Sequence, residues 1–352
     1  MSALIQFLIV FGAILMGVRY GGLALGLWGG LGLVVLSVGF GVVPTSPPID
    51  VMLIIFAVCM CASCMEAVGG IDILVRIAAR IIRSDPRYVA ILGPVVSFFL
   101  TFFAGTGNAV YAILPVIYEV SYNAKVRPER AMAGAAVAGQ VGITACPISA
   151  ATAAMIGLMV QNGHPEIGLG QILMITFPSC LIGVVAASFV CMFVGKDLDK
   201  DPEYLARLKA GKVEPPQQLN NEKLPREATW SVLIFLGSIL LIVCAGFFPE
   251  LRVLPGQTKP VGMSLVIEAV MLAAGALMCI VCKPSMDKVA HGQILHAGVI
   301  SIAVVFGIAW MSDSFINGNK GFFMDLCGQL AATAPFLFAL VLGIMSALLG
   351  SQ

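Results

Sequence analysis

Two short polar segments interrupt long apolar runs of this 352-residue chain, and their residue types suit the binding of an anion. The first is "GTGN" at residues 105–108, within the run "FFAGTGNAVYAILP". The second is "GITACPISAAT" at residues 142–152, where Pro147 removes a helical hydrogen bond. A helix that restarts after such a break presents unpaired N–H groups and a partial positive charge of about half a unit, which attracts a carboxylate.

The side chains of both segments are small, and several can donate hydrogen bonds. Glycine lets the backbone approach a ligand closely, while threonine, serine and asparagine add hydroxyl and amide donors. The candidate substrate-binding residues are Gly105, Thr106, Gly107, Asn108, Thr144, Pro147, Ser149 and Thr152. Neither segment contains Asp or Glu, which argues against a carboxylate-based proton relay there. The alternative is a packing kink, with glycine for close helix contact and the hydroxyl groups bonded to their own helix.

Composition indicates that membrane-spanning helices carry these segments. The chain is 59% hydrophobic and 11% charged, with a mean hydropathy of +0.99, which leaves too little charge to cover a soluble protein. Apolar runs recur at about 17–25 residues, the length needed to cross a hydrocarbon core of about 30 Å. Examples are Gly22–Val43, Val51–Val68, Leu169–Val194, Thr229–Phe248 and Val261–Cys282. The sequence predicts an all-α, polytopic transmembrane protein, because these runs lack the alternating polarity of a β-barrel.

Irregular backbone survives at membrane depth only where it lines a cavity or is buried in protein. Two broken helices with small polar residues are typical of a transporter site near the bilayer midplane. An intramembrane enzyme would need a nucleophile beside a base, or paired aspartates, at that depth, and none of the three histidines lies centrally in a predicted span. The ten cysteines are predicted to pack and not to bind a metal, and the net charge of +1 indicates no nucleic-acid partner.

The distribution of Lys and Arg predicts the topology, since these residues collect in cytoplasmic loops. Segments 76–87, 123–130 and 195–227 are basic, whereas 44–50 and 161–168 contain no Lys or Arg. The N-terminus is therefore predicted outside, in the periplasm, and the 195–228 linker in the cytoplasm. Two geometries fit the chain between the first two basic segments: a re-entrant hairpin, or two short crossings with an outer turn. We favour the hairpin, because an ordinary outer turn does not need a polar "GTGN" set.

The order of helices predicts two transmembrane repeats of inverted topology. Residues 1–194 form the first repeat, with the hairpin near 88–122 and a broken helix over 131–161. Residues 195–228 form the cytoplasmic linker, whose balanced charges are typical of a mobile, solvated connector. Residues 229–352 form the second repeat, with helices near 229–248, 262–281 and 297–311 and then a more polar stretch over 312–329.

Six motifs, in order and at family-like spacing, carry a resemblance that extends over essentially the whole chain. They are "FFAGTGN", "ILPVIYEV", "RPERAMA", "CPISAAT", "GKDLDKD" and "GIAWMSDSF". With them the chain resembles the anaerobic C4-dicarboxylate transporter (Dcu) family, and within it the fumarate/succinate antiporter branch. The resemblance implies antiport of fumarate, malate, aspartate and succinate across a bacterial inner membrane during anaerobic growth, without a bound cofactor. Dicarboxylates and membrane lipids are then the expected partners.

The resemblance also raises an alternative function. Family members continue past the position that matches Gln352, through a second hairpin and another broken helix. The second repeat is therefore expected to be truncated, with half of the binding site beyond it. The alternative is a transport-inactive fragment or a membrane regulatory protein that interacts with a dicarboxylate sensor kinase. Assembly of the chain into a homo-oligomer is left open.

Three charged residues form a second tier of substrate or gate candidates: Arg83, Arg127 and Glu268. Arg83 belongs to a basic helical face over 76–87, with Ile73, Leu74, Ile77 and Ile81 on another face. One interpretation is an interfacial helix that binds anionic lipid head groups; the other is that Arg83 and Arg127 gather the dianion at the cytoplasmic mouth. Glu129 is an alternative partner for either arginine. Glu268 lies within a span, where it needs a structural cation partner or a coupling ion.

Overall fold

The computed structural model of the chain describes residues 2–105, 107, 109–161, 163–164, 167–210, 225–257 and 259–321. Over these residues all regular secondary structure is helical. Seven of the described helices are long and apolar enough to cross a membrane, which confirms the predicted all-α, polytopic membrane fold. They are Ala3–Tyr20, Ile49–Ala67, Pro86–Ala104, Leu169–Met192, Arg226–Phe247, Met263–Val281 and Met286–Gly318. The thirty-one residues that follow Gly321, like Thr106 and Asn108, lie outside the described part.

The helices follow the predicted runs closely, because apolar content and helix-breaking residues are local properties of the chain. The first half contains α1 Ser2–Tyr20, α2 Ala24–Phe40, α3 Ile49–Ala67, α4 Gly70–Ser84, α5 Val89–Ala104, α6 Ala109–Asn123, α7 Pro128–Thr144, α8 Ala150–Gln161 and α9 Leu169–Met192. The second half contains α10 Pro202–Lys209, α11 Arg226–Phe247, α12 Met263–Val281, α13 Met286–Ala290, α14 Gln293–Val304 and α15 Trp310–Gly318. Predicted spans near 229–248 and 262–281 correspond to α11 and α12.

The described residues divide into two compact units, one within 2–56 and 296–321 and the other within 57–295. In the first unit, α2 packs on a π-helical turn, Val305–Ala309, that joins α14 to α15. A Cβ atom added to Gly29 would lie 2.5 Å from the backbone nitrogen of Ile308, so only glycine permits this approach. Such small-residue contacts replace the hydrophobic effect as the source of helix association in lipid.

The helix predicted over 297–311 is longer than expected. The π-helical turn continues without interruption into α15, which ends at Gly318 and includes the first part of the stretch predicted to be polar. Its polar side chains are satisfied locally: Ser314 Oγ donates to the carbonyl of Trp310 (2.8 Å), and Asn317 Nδ2 donates to Asp313 (3.1 Å). Because polarity alone does not end a helix, the predicted boundary at residue 312 was wrong.

The second unit holds both broken segments. α5 packs between α7 and α9, and Phe98, Phe102 and Phe177 form an aromatic cluster with ring centroids 5.4–6.4 Å apart. The α7 surface against α5 consists of small residues, among them Ala135, Ala138, Gly139 and Gly142. Small side chains let two helix backbones approach closely, which is the condition for a rigid site at membrane depth.

The first part of the linker is folded, in contrast to the mobile connector that its composition predicts. Its α10 begins with Asp201 as an N-cap, whose carboxylate accepts the N–H of Glu203 (3.0 Å). The N–H of Leu198 donates to the carbonyl of Lys125 (3.1 Å). Residues 195–210 therefore dock on the loop between α6 and α7, because charges that look solvated in sequence find partners there. Residues 211–224 lie outside the described part of the chain.

Candidate site at the two helix breaks

The first break lies between α5 and α6. Gly105 ends α5 in the left-handed conformation, with φ +69°, and its N–H donates to the carbonyl of Thr101 (3.0 Å). That backbone conformation favours glycine. The N–H of Val110 donates to the carbonyl of Gly107 (3.2 Å), which starts the α6 turn. The predicted interruption at "GTGN" is therefore confirmed.

The second break lies between α7, which ends at Thr144, and α8, which begins at Ala150. Ser149 Oγ accepts the N–H of Thr152 (3.2 Å), and Thr152 Oγ1 donates to the carbonyl of Cys146 (2.6 Å). Pro147 is buried between these groups, and the side chains of Ser149 and Thr152 are only 1% and 2% exposed. Here the hydroxyl groups bond within their own segment, as the packing interpretation expects.

Contacts across the unit bring the two breaks together. A Cβ atom on Gly105 would lie 2.9 Å from Cδ1 of Ile148, in the second break. A Cβ atom on Gly107 would lie 2.6 Å from Cδ1 of Ile143 and 2.9 Å from Oε1 of Gln140. A side chain at either position would therefore have to displace the end of a neighbouring side chain, and at Gly105 the backbone conformation also favours glycine. The first break thus lies against Ile148 of the second break and against the last part of α7.

Gln140 is a further candidate for the site, which the sequence reasoning missed. It is an exposed, long polar side chain on α7, in the otherwise small and apolar stretch "AGAAVAGQVGIT". Its amide lies where a side chain on Gly107 would be, and it has a partner within the chain. An amide offers both donors and acceptors, so it can serve a carboxylate as well as a backbone group. A long polar side chain in the middle of an apolar run is the sequence feature that could have identified it.

The two second-tier arginines are engaged by carboxylates on different elements. Arg83, on α4, donates to Glu119 of α6 (2.7 Å). Arg127 pairs with Asp201 (3.2 Å) and with Glu129 (3.4 Å), the alternative partner that the sequence suggested. These pairs tie α4 to α6 and the linker to the α6–α7 loop. A role of either arginine in gathering substrate stays a prediction.

The other candidates lie as follows. Thr144 is half-buried at the end of α7, and Glu268 is half-buried in the first half of α12; each has a partner within the chain. Among the residues that the structure describes, there is no group of three His, Cys, Asp or Glu side chains that could hold a metal ion. Thr106 and Asn108, the polar members of the first break, lie outside the described residues.

Comparison with known proteins gives a consistent picture. The family model described as "Anaerobic c4-dicarboxylate membrane transporter" matches residues 2–352. The anaerobic C4-dicarboxylate transporter DcuB of Escherichia coli O6:H1 is 37% identical over 356 residues, which cover 99% of this chain and 79% of that protein. The C4-dicarboxylate transporter DcuA of Helicobacter pylori J99 is 35% identical over 351 residues, covering 100% and 79%.

The C4-dicarboxylate transporter DcuA of Wolinella succinogenes is 37% identical over 347 residues, with coverages of 99% and 79%. No solved structure matches the chain significantly. The family consists of membrane transporters, which confirms the expectation that the chain is not an enzyme. With two broken helices joined in one membrane unit and this similarity along its whole length, the chain belongs to the anaerobic C4-dicarboxylate membrane transporter family.

Proposed function

We propose that this chain exchanges C4-dicarboxylates across the bacterial inner membrane, as a fumarate/succinate antiporter under anaerobic conditions that also accepts malate and aspartate. The observation that carries the proposal is the proximity of the two breaks, where Gly105 lies against Ile148, with the amide of Gln140 beside Gly107. Broken helices that meet in one membrane unit are suited to an anion at membrane depth. The names of the related transporters supply the substrate class.

In this proposal the two breaks together bind one carboxylate of the substrate. The carboxylates of an extended C4 dianion lie about 5–6 Å apart, so one helix-start region reaches only one of them. We expect the backbone at Gly107 and the side chains of Thr106, Asn108 and Thr144 to supply the donors; Thr106 and Asn108 lie outside the described residues. Ser149 and Thr152 are buried, and their hydrogen bonds stay within the second break. They stabilise the turn that contains Pro147.

The charged residues act outside this centre. Arg83 and Arg127 each exchange a carboxylate partner for the arriving dianion at the cytoplasmic mouth, since both guanidinium groups donate to a carboxylate, of Glu119 and of Asp201, in the structure. A half-exposed ion pair is worth about 1 kcal/mol or less, so such an exchange is energetically accessible. Glu268, in the span of α12, is the candidate for a coupling ion or a structural pair.

The test is counterflow of labelled fumarate against internal succinate in proteoliposomes that contain the chain. Saturable exchange supports antiport. No exchange by well-inserted protein contradicts it and favours the alternative, a transport-inactive or regulatory protein that interacts with a dicarboxylate sensor kinase. The Thr106→Ala, Asn108→Ala double variant should abolish exchange. Ser179→Ala is the matched control, because this exposed hydroxyl only bonds the carbonyl of Ile175 within α9.

The orientation is a further part of the proposal: a periplasmic N-terminus and a cytoplasmic linker over residues 195–228. Membrane-impermeant labelling of single cysteines in a cysteine-free background tests it, with one cysteine near residue 45 and one in the linker. Labelling of the linker site from outside intact cells would contradict it. Cross-linking in membranes tests the two proposed protein partners, a sensor kinase and a second copy of the chain.

A further inference from the structure

Helix α4 is amphipathic, and it is too short to cross the membrane. Its 15 residues span about 22 Å, against about 30 Å for the hydrocarbon core. One face, which includes Leu74, Ala78 and Ile82, is buried and packs against α5, α6 and α11. The buried face thus anchors α4 along the side of the second unit.

The remaining surface of α4 is apolar as well as basic, with the arginines and the isoleucines on different faces. Of the apolar face that the sequence indicates, Leu74 is buried, whereas Ile77 and Ile81 are 51% and 45% exposed. Ala78, Ala79 and Ile82 complete the buried face. Residues four apart form one stripe, so the two isoleucines present a continuous apolar strip to the surroundings.

Exposed positive charge lies next to this strip. Arg80 lies about 60° around the helix axis from Ile77, given about 100° per residue. Arg80 is exposed, as is Arg87 in the 3₁₀ turn Pro86–Tyr88, and neither has an ion-pair partner among the described residues. Tyr88 is 52% exposed in the same turn. Arginines beside apolar and aromatic side chains are typical of a helix at the membrane interface.

Other charges in this segment do not neutralise the two arginines. Arg83 forms an ion pair with Glu119, and Arg76 is half-buried and interacts with another residue of the chain. The acidic residues of the segment, Asp72 and Asp85, are exposed at its two ends. The unpaired positive charge therefore lies along the strip itself.

We propose that the outer surface of α4 and the following turn is a binding surface for anionic phospholipids. Arg80 and Arg87 pair with the head-group phosphates, while Ile77 and Ile81 enter the upper acyl-chain region. Charge complementarity selects the head group, and the isoleucine strip sets the depth of the helix. Since Arg83 of the same helix pairs with α6, this surface couples lipid composition to the element that begins at the first break.

The test uses the full chain in detergent, titrated with dioctanoyl phosphatidylglycerol while the midpoint of thermal unfolding is measured. Dioctanoyl phosphatidylcholine has the same acyl chains without the net charge, and sn-glycerol 3-phosphate has the phosphate without acyl chains. We expect stabilisation by phosphatidylglycerol alone. Equal stabilisation by either of the other two compounds would overturn the proposal, in favour of a nonspecific lipid effect or a site for a free anion.

Variants locate the effect on the protein. Arg80→Gln with Arg87→Gln should weaken the apparent affinity for phosphatidylglycerol about 25-fold, which is about fivefold for each basic residue near an anionic surface. Ile77→Ser with Ile81→Ser should weaken it as well, without a change of charge. Arg80→Lys with Arg87→Lys should retain most of the affinity.

The matched control removes two exposed positive charges elsewhere, by Lys283→Gln with Lys288→Gln. It should change the affinity less than about twofold, because Lys283 and Lys288 lie outside α4 and the turn that follows it, and salt at about 0.15 M screens the attraction between separated exposed charges. An equal loss in this control, or an unchanged affinity in the Arg80→Gln, Arg87→Gln variant, would show that α4 is not the binding surface.

Discussion

Arg130 holds the folded part of the linker on the loop before α7, and its replacement by glutamine is the sharpest test of this structure. The guanidinium donates to Asp197 (2.8 Å) and to the carbonyls of Val194 and Gly195 (2.5 and 2.7 Å). The Arg130 side chain is only 10% exposed, whereas Asp197 is 40% exposed. Glutamine keeps most of the length and can keep at most part of these bonds.

The expected cost follows from the burial of the two partners. Hydrogen bonds to charged groups contribute about 1.5–3 kcal/mol, and removing a donor leaves its acceptors unpaired. Water can hydrate Asp197 in the variant and offset part of the loss. We therefore expect the docked segment to lose about 2 kcal/mol of stability. This corresponds to about a 30-fold increase in its opening equilibrium, at tenfold per 1.4 kcal/mol.

Hydrogen exchange of the linker amides measures this opening directly. The N–H of Leu198, which donates to the carbonyl of Lys125, should exchange about 30-fold faster in Arg130→Gln. Arg207→Gln is the matched control, since it removes an exposed pair with Glu203 within one helix, worth about 0.3–0.5 kcal/mol. Unchanged protection of Leu198 in Arg130→Gln, or an equal loss in the control, would refute the reasoning.

Two further predictions concern the breaks. Gly142→Ala should lower the free energy of unfolding by about 1–3 kcal/mol, because its Cβ would lie 2.6 Å from the backbone carbonyl oxygen of Phe98, which cannot turn aside. Gly237→Ala, with open space around it, should be neutral or stabilising, and comparable denaturation midpoints in both variants would contradict the close approach. Gln140→Leu should reduce fumarate counterflow at least about tenfold at unchanged insertion, whereas Ser179→Ala, whose hydroxyl donates to the carbonyl of Ile175 within α9, should retain it. Full exchange by Gln140→Leu would remove this residue from the site.

Much of the architecture is predictable from the sequence, because its causes are local. Apolar runs of spanning length predicted the membrane helices, and Gly105 and Pro147 marked both breaks at the correct places. A helix break needs only a left-handed glycine or a missing N–H, which a reader sees in the residue types themselves. The six motifs likewise sufficed for the family.

Tertiary structure decided which residues share a neighbourhood. That Gly107 meets Gln140, that Arg130 binds Asp197, and that Ser149 is buried are consequences of how distant segments pack. The sequence alone determined where helices start and stop and which of them are apolar enough for a membrane. It did not determine which face of α4 is buried or whether the linker docks, because those outcomes depend on partners many residues away, and only packing selects among them.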